Sequence, residues 1–152
     1  MTVFIDADAC PVVDITAELA FERNIPCVLI CDTAHTIERD GCTTVTADKG
    51  ADSADIKLFN MIKSGDICVT QDYGLAAMCL GKGAAALNQN GLIYTDKNIE
   101  TLLYTRYVNK KIRLSGGRTK GPKPRTAEND EAFRRSLIKI LNEKSSDRKE
   151  NE

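Results

Sequence analysis

The residues in this chain best equipped for chemistry are aspartates, and they recur at one kind of place. Asp6 and Asp8 follow the apolar run at 3–5, Asp32 follows CVLIC at 27–31, and Asp72 follows ICVT at 67–70. Asp52 and Asp55 flank the start of the helical stretch that leads into this last run. Spaced three apart, they share one helix face. Each aspartate alone has an ordinary explanation: Asp8 or Asp72 can cap a helix, and Asp52-Ser-Ala-Asp55 resembles a capping box. Taken together they are harder to dismiss, because carboxylates packed at one place repel and raise one another's pKa, a cost that a cation removes. Oxygen-only ligands of this kind suit Mg2+ or Mn2+, which bind through a few carboxylates plus water and leave positions for a substrate phosphate.

The elements that must bring these residues together alternate. Short apolar runs at 3–5, 27–31, 43–46, 67–70 and 84–87 read as strands, several without the polar alternation of a half-exposed strand and so buried on both faces. Helices are predicted from Pro11 to about Asn24, from about Ser53 to Lys63 with Ile56, Phe59 and Ile62 on its apolar face, from Tyr73 to Gly81, and over 98–114. A Gly/Pro/Lys/Arg loop at 115–125 precedes a final amphipathic helix at 128–143 that uses Phe133, Leu137, Ile140 and Leu141. Residues 144–152 are expected to be disordered. This pattern predicts one domain over 1–143, a three-layer α/β/α fold with a mostly parallel sheet. In such a sheet ligands bind beyond the carboxyl ends of the strands, where the aspartates fall. No GxGxxG or GxxxxGK[ST] occurs, so the phosphate-cradling turns of dinucleotide and P-loop nucleotide sites are missing.

Charge is unevenly spread along the 152 residues. Residues 1–109 hold 15 acidic and 8 basic side chains, whereas 110–125 hold seven basic and no acidic ones. Charge runs are usually solvated linkers; the sharper reading of this one is a phosphate-binding strip, Lys110, Lys111, Arg113, Arg118, Lys120, Lys123 and Arg125 neutralising nucleic-acid backbone without reading bases. Tyr104 and Tyr107 just upstream are read as core residues rather than base platforms. The six cysteines form no CxxC pair, four lie inside apolar runs, and the only histidine is His35. They are expected to be buried free thiols, with Cys10 the most reactive because it lies beside the aspartates. No apolar run is long enough to span a membrane and no signal-peptide pattern opens the chain, so a cytoplasmic location without membrane partners is expected.

The strings FIDADACPV, DxxDIKLF, VTQDYGLA, ALNxxG and RTKGPKPRTAE together resemble the YaiI/YqxD family of uncharacterised bacterial proteins, distant relatives of the PIN-domain nucleases. The resemblance covers residues 3 to about 141. It implies a PIN-like fold in which carboxylates at the sheet edge bind one or two divalent metals, Mg2+ or Mn2+, for phosphodiester hydrolysis. Carried over, the metal ligands would be drawn from Asp6, Asp8, Asp52, Asp55 and Asp72, with Asp6, Asp8, Asp55 and Asp72 catalytic, the mid-chain position falling on Asp55 or Asp52. Thr70 would hydrogen-bond a ligating carboxylate. The expected substrate is RNA or another single-stranded nucleic acid. Where PIN nucleases often carry a further acid after the late aspartate, this chain reads Tyr73-Gly74-Leu75, which argues against a full two-metal site. Two alternatives compete: a catalytically silent nucleic-acid-binding module, and a haloacid-dehalogenase-like phosphatase, whose motifs are partly imitated by Asp6-Ala-Asp8 and by Gly65-Asp66 with Asp72.

Overall fold

Short runs of three to six residues, four of them mainly apolar and the edge run threonine-rich, form five strands: β1 (Val3–Asp6), β2 (Cys27–Asp32), β3 (Cys42–Ala47), β4 (Ile67–Val69) and β5 (Ala85–Leu87). The computed structural model describes residues 1–32, 36–47, 53–118 and 123–150, with side chains to Asp147. All neighbouring strands pair in parallel, in the order β3-β2-β1-β4-β5. Helices α1 (Val13–Glu22), α2 (Ser53–Met61), α3 (Tyr73–Gly81), α4 (Asp96–Leu114) and α5 (Ala127–Glu150) complete the chain.

Successive strand residues point to opposite faces, and this alternation divides the core in two. Val3, Ile5, Leu29, Cys31 and Val69 pack with Leu19 of α1 and with Phe133, Leu137 and Leu141 of α5. Phe4, Ile30, Cys68 and Ala86 pack on the other side with Leu58, Leu75, Cys79 and Ile99 from α2, α3 and α4. The result is the expected three-layer α/β/α arrangement around a parallel sheet, in keeping with a PIN-like fold.

The strand order matters for the site. From the central β1 the chain steps outward through β2 to β3, then returns to place β4 on the other side of β1 and moves outward again to β5. The direction therefore reverses between β1 and β4, and the loops leaving their carboxyl ends diverge to opposite faces, opening the crevice where α/β sheets bind ligands.

Several expectations need correction. The first helix begins at Val13, with Pro11 outside it. In α2, Leu58 and Ile62 are buried whereas Ile56 is 53% exposed; two steps of three residues rotate around the helix by about 120°, so Ile56 and Ile62 cannot share a narrow buried stripe. The last helix does not stop at Glu143, and residues 144–150 are helical rather than disordered. This stretch contains no glycine or proline to end the helix, and its Lys, Glu and Arg are good helix formers. His35, Asp52 and Lys120 lie outside the described residues.

Candidate active site

Asp6 is the last residue of β1 and has the same parity as Phe4, which directs it to the α2–α3 side of the sheet. The central position of its strand leaves it half-buried. One hydrogen bond compensates: the buried Thr70 hydroxyl donates to Asp6 Oδ2 at 2.9 Å. The same hydroxyl oxygen accepts the backbone N–H of Asp72 at 3.0 Å, and the Thr70 carbonyl accepts the hydroxyl of buried Tyr94 at 3.1 Å. Thr70 thus joins the end of β1 to the loop after β4 and holds the Asp6 carboxylate by a hydrogen bond.

Asp72 is the N-cap of α3, its Oδ1 accepting the backbone N–H of Gly74 at 2.8 Å and of Leu75 at 3.2 Å. Capping and a place in the site are not exclusive: the same residue lines a cleft of about 510 Å³ with Asp6, Asp8, Ala9, Gln71, Tyr73 and Arg106. Burial pushes the Asp6 carboxyl above the ordinary carboxylate range; the Thr70 hydrogen bond opposes this, and the nearby charges of Asp72 and Asp8 add to it. Asp8 Oδ2 accepts the Asp32 backbone N–H at 3.3 Å. Its Oδ1 is buried without a hydrogen-bond partner among the described residues. An orphaned carboxylate oxygen carries a desolvation cost that a ligand would relieve.

The backbone here is also unusual. Ala9 has φ +56°, a left-handed conformation rare for alanine and characteristic of positions held by their surroundings. Gln71 Nε2 donates to the Ala9 carbonyl at 3.0 Å, so the loop after β4 braces the turn after β1. At the rim, Arg106 of α4 brings its guanidinium to 4.0 Å from Asp72 Oδ1. Gln71, Tyr73 and Arg106 are site residues that sequence reasoning missed.

The other sequence-predicted residues lie elsewhere. Asp55 sits half-buried in the first turn of α2, close enough to the Cys68 and Cys79 thiols to act on their charge, and is not among the described residues lining the cleft. Asp32 lines an adjoining cleft with Asp8, Ala9, Thr36 and Ile37. Arg125 is committed inside the protein. Its guanidinium donates to Asp130 at 2.7 and 2.9 Å, to Asn90 Oδ1 at 2.9 Å and to the Gln89 carbonyl at 2.9 Å, tying the start of α5 to the turn after β5. It is therefore removed from the phosphate strip. In the same turn Asn88 Oδ1 accepts the N–H of Asn90 and of Leu92, and Gly91 (φ +85°) lies so close to α5 that a Cβ would stand 2.5 Å from the Ala132 carbonyl oxygen. The ALNxxG string and the last arginine of RTKGPKPRTAE are thus docking features for α5. Lys110, Lys111, Arg113, Arg118 and Lys123 are exposed.

All six cysteines are free thiols, four of them buried. Cys10 is corrected from its expected reactivity: burial, partly offset by a backbone hydrogen bond involving Val12, pushes its thiol up to about 11, with Asp6 raising it and Arg125 lowering it.

Among the described residues no group of three or more Asp, Glu, His or Cys side chains is close enough to hold one ion, so a closed protein cage does not fit. A hydrated Mg2+ or Mn2+ does fit, since such ions keep several waters and need only one or two carboxylates. Asp6 and Asp8, with the orphaned Asp8 oxygen, are the residues that would hold it.

Together these observations define an α/β domain with an acidic cleft at the switch point of a parallel sheet, braced by Thr70 and Gln71. The chain belongs to the YaiI/YqxD family of uncharacterised bacterial proteins, whose model matches residues 4–143. It is 52% identical to a UPF0178 protein of Ruminiclostridium cellulolyticum over 95% of both chains. A UPF0178 protein of Exiguobacterium sibiricum is 49% identical, over 95% of this chain and 99% of its own, and one of Clostridium acetobutylicum 43%, over 93% and 97%. No solved structure matches the chain. Among the described residues no helix is long and apolar enough to cross a membrane.

Proposed function

We propose that the cleft hydrolyses phosphodiester bonds of nucleic acid with the help of a divalent metal. The observation that carries this reading is the convergence of Asp6, Asp8 and Asp72 with the cation Arg106 on one cleft at the switch point. Carboxylates and a guanidinium around one opening suit a metal–phosphate pair, the acids meeting the metal and the arginine the phosphate. A bound Mg2+ or Mn2+ would lower the pKa of a water and polarise the phosphate. The protein's part is positional. Thr70 holds Asp6 in one rotamer, Gln71 fixes the turn that carries Asp8, and the α3 cap keeps Asp72 at the rim. Arg106, now beside Asp72, is placed to meet an incoming phosphate.

The phosphatase alternative loses support from Asp66, which its motif needs at the same site. Asp66 precedes β4 at the opposite edge of the sheet, where it accepts the backbone N–H of Thr2 and of Lys63 at 2.9 Å each. The test is a panel of single- and double-stranded RNA and DNA with Mg2+ or Mn2+, run beside Asp6→Asn, with thermal melts in parallel. A metal at 100 times its dissociation constant should stabilise the wild type by about 2.7 kcal/mol, and Asp6→Asn by much less. Cleavage that requires metal and fails in Asp6→Asn supports the reading; binding without cleavage under any metal replaces it with the silent module, and turnover of a generic phosphomonoester instead of nucleic acid with the phosphatase.

A further inference from the structure

We propose that the second half of α4 is a rail for single-stranded nucleic acid, with Tyr104 and Tyr107 as stacking platforms for bases and Lys110, Lys111 and Arg113 as phosphate contacts, leading the strand to Arg106 at the cleft. This rests on the reading of the cleft as a phosphodiester site and names the form of its substrate.

The helix changes character part-way along. Ile99 is buried, and Leu102 and Leu103 pack against the α2–α3 core, but Tyr104 is 68% and Tyr107 54% exposed. The two aromatic rings are therefore neither core residues nor covered by another described element. They stand three apart, neighbours on the helix surface. Lys111 Nζ lies 5.0 Å from the Tyr107 ring centroid, so ring and charge are presented together.

Charge selects the occupant. Between Thr101 and Pro124 the chain carries seven Lys or Arg and no Asp or Glu, on a body whose remainder is acidic. An acidic protein face, this chain's own included, would satisfy the cations but gives the two rings nothing to stack on, whereas a strand of nucleic acid supplies phosphates for the cations and bases for the rings. Duplex DNA or RNA would use the cations alone, because its bases are already stacked on one another. Arg106 links the two features: it lines the acidic cleft, and Lys110 and Arg113, four and seven residues on, share its face of α4, beside the face that carries Tyr104, Tyr107 and Lys111. From Arg106 to Arg113 the helix rises about 10 Å, enough to bind a few consecutive nucleotides.

The test measures binding of a fluorescent single-stranded oligonucleotide, its duplex, and a base-free phosphodiester oligomer of the same length, all without divalent metal. Replacing Tyr104 and Tyr107 with alanine should weaken single-strand binding roughly 5- to 150-fold per tyrosine, and leave the duplex and the base-free oligomer unchanged. Phenylalanine at both positions should restore it. Converting Lys110, Lys111 and Arg113 to glutamine should make the slope of log affinity against log salt less steep by about 2. Equal single-strand binding by the wild type and the double alanine variant would overturn the proposal, as would sedimentation showing a wild-type dimer that the alanine variant dissociates. Failure here is distinct from failure of the cleft: metal-dependent cleavage with unaltered binding in the tyrosine variants keeps the cleft and removes the rail, while stacking-dependent binding without cleavage does the reverse.

Discussion

Replacing Thr70 by valine is the sharpest probe of how the site is held. Valine keeps the shape of a buried threonine and removes the hydroxyl that donates to Asp6 and accepts from Asp72 N–H. Losing a hydrogen bond to a charged group costs about 1.5–3 kcal/mol, and an N–H left unpaired about 1–3 kcal/mol more, less whatever water recovers at the half-exposed Asp72. A loss of about 3 kcal/mol is expected at pH 7, which for a domain of this size lowers Tm by roughly 6–12 °C. Thr70→Ser, which keeps the hydroxyl, should lose much less. The effect also has a pH signature. The Thr70 bond holds the Asp6 pKa down against burial, so the valine variant raises that pKa further. A group whose folded pKa is raised loses stability as pH rises from its unfolded value through its folded value. The gap between wild type and Thr70→Val should therefore be smallest in acid, widen through the carboxylate range and level off above the variant's Asp6 pKa. Thermal and urea unfolding followed by circular dichroism between pH 3.5 and 8, with serine as control, measures this. Valine and serine variants with equal midpoints at pH 7, or a gap independent of pH, would show that the hydroxyl does not hold the ionised carboxylate.

Two further tests separate the roles of single residues. Asp72→Asn should keep the α3 cap and leave metal-free stability unchanged or slightly raised by relief of charge on Asp6, whereas Asp72→Ala should lose about 1 kcal/mol; denaturant titration of both distinguishes cap from charge. Cys10, with its thiol pushed up to about 11, carries almost no thiolate at pH 7 and should alkylate far more slowly than free cysteine in the native protein, which intact-mass measurement over time reads directly; fast single-site labelling at Cys10 would contradict its burial.

Much of the site was legible because strand ends are. Asp6 and Asp72 terminate or follow apolar runs too short for helices, and a parallel sheet gathers such ends at one edge, so their meeting followed from pattern alone. The strand order was not legible, yet it is the order that puts β1 next to β4 and makes those two ends, rather than those of β2 and β3, the crevice. Asp55 shows the limit of helical spacing: a helix start fixes which residues share a face but not where that face points. Arg106 comes from a helix 34 positions after Asp72 with no motif around it. Tyr104 and Tyr107 were misread because periodicity assumes a helix is covered along its whole length, and α4 is covered only over its first turns. The absence of acid from 101 to 127 was the available signal that its far half faces something other than core. Arg125 was misread for the opposite reason: composition groups it with its basic neighbours, and only tertiary structure reveals Asp130, Gln89 and Asn90 around it.

The pairing of β1 with β4 is also the sheet's longest closure along the chain. β1, β2 and β3 are successive in the chain and pair as neighbours, and β4 and β5 do the same, but the seam between these two groups joins residues such as Val3 and Ile67. Closing it requires a loop of some sixty residues, the entropically slow kind of contact. The Thr70–Asp6 bond lies on that seam. The carboxylate cluster thus depends on the longest-range strand pairing of the sheet rather than on either local half, and anything bound across the cleft would act as a clasp on the joint between the two halves.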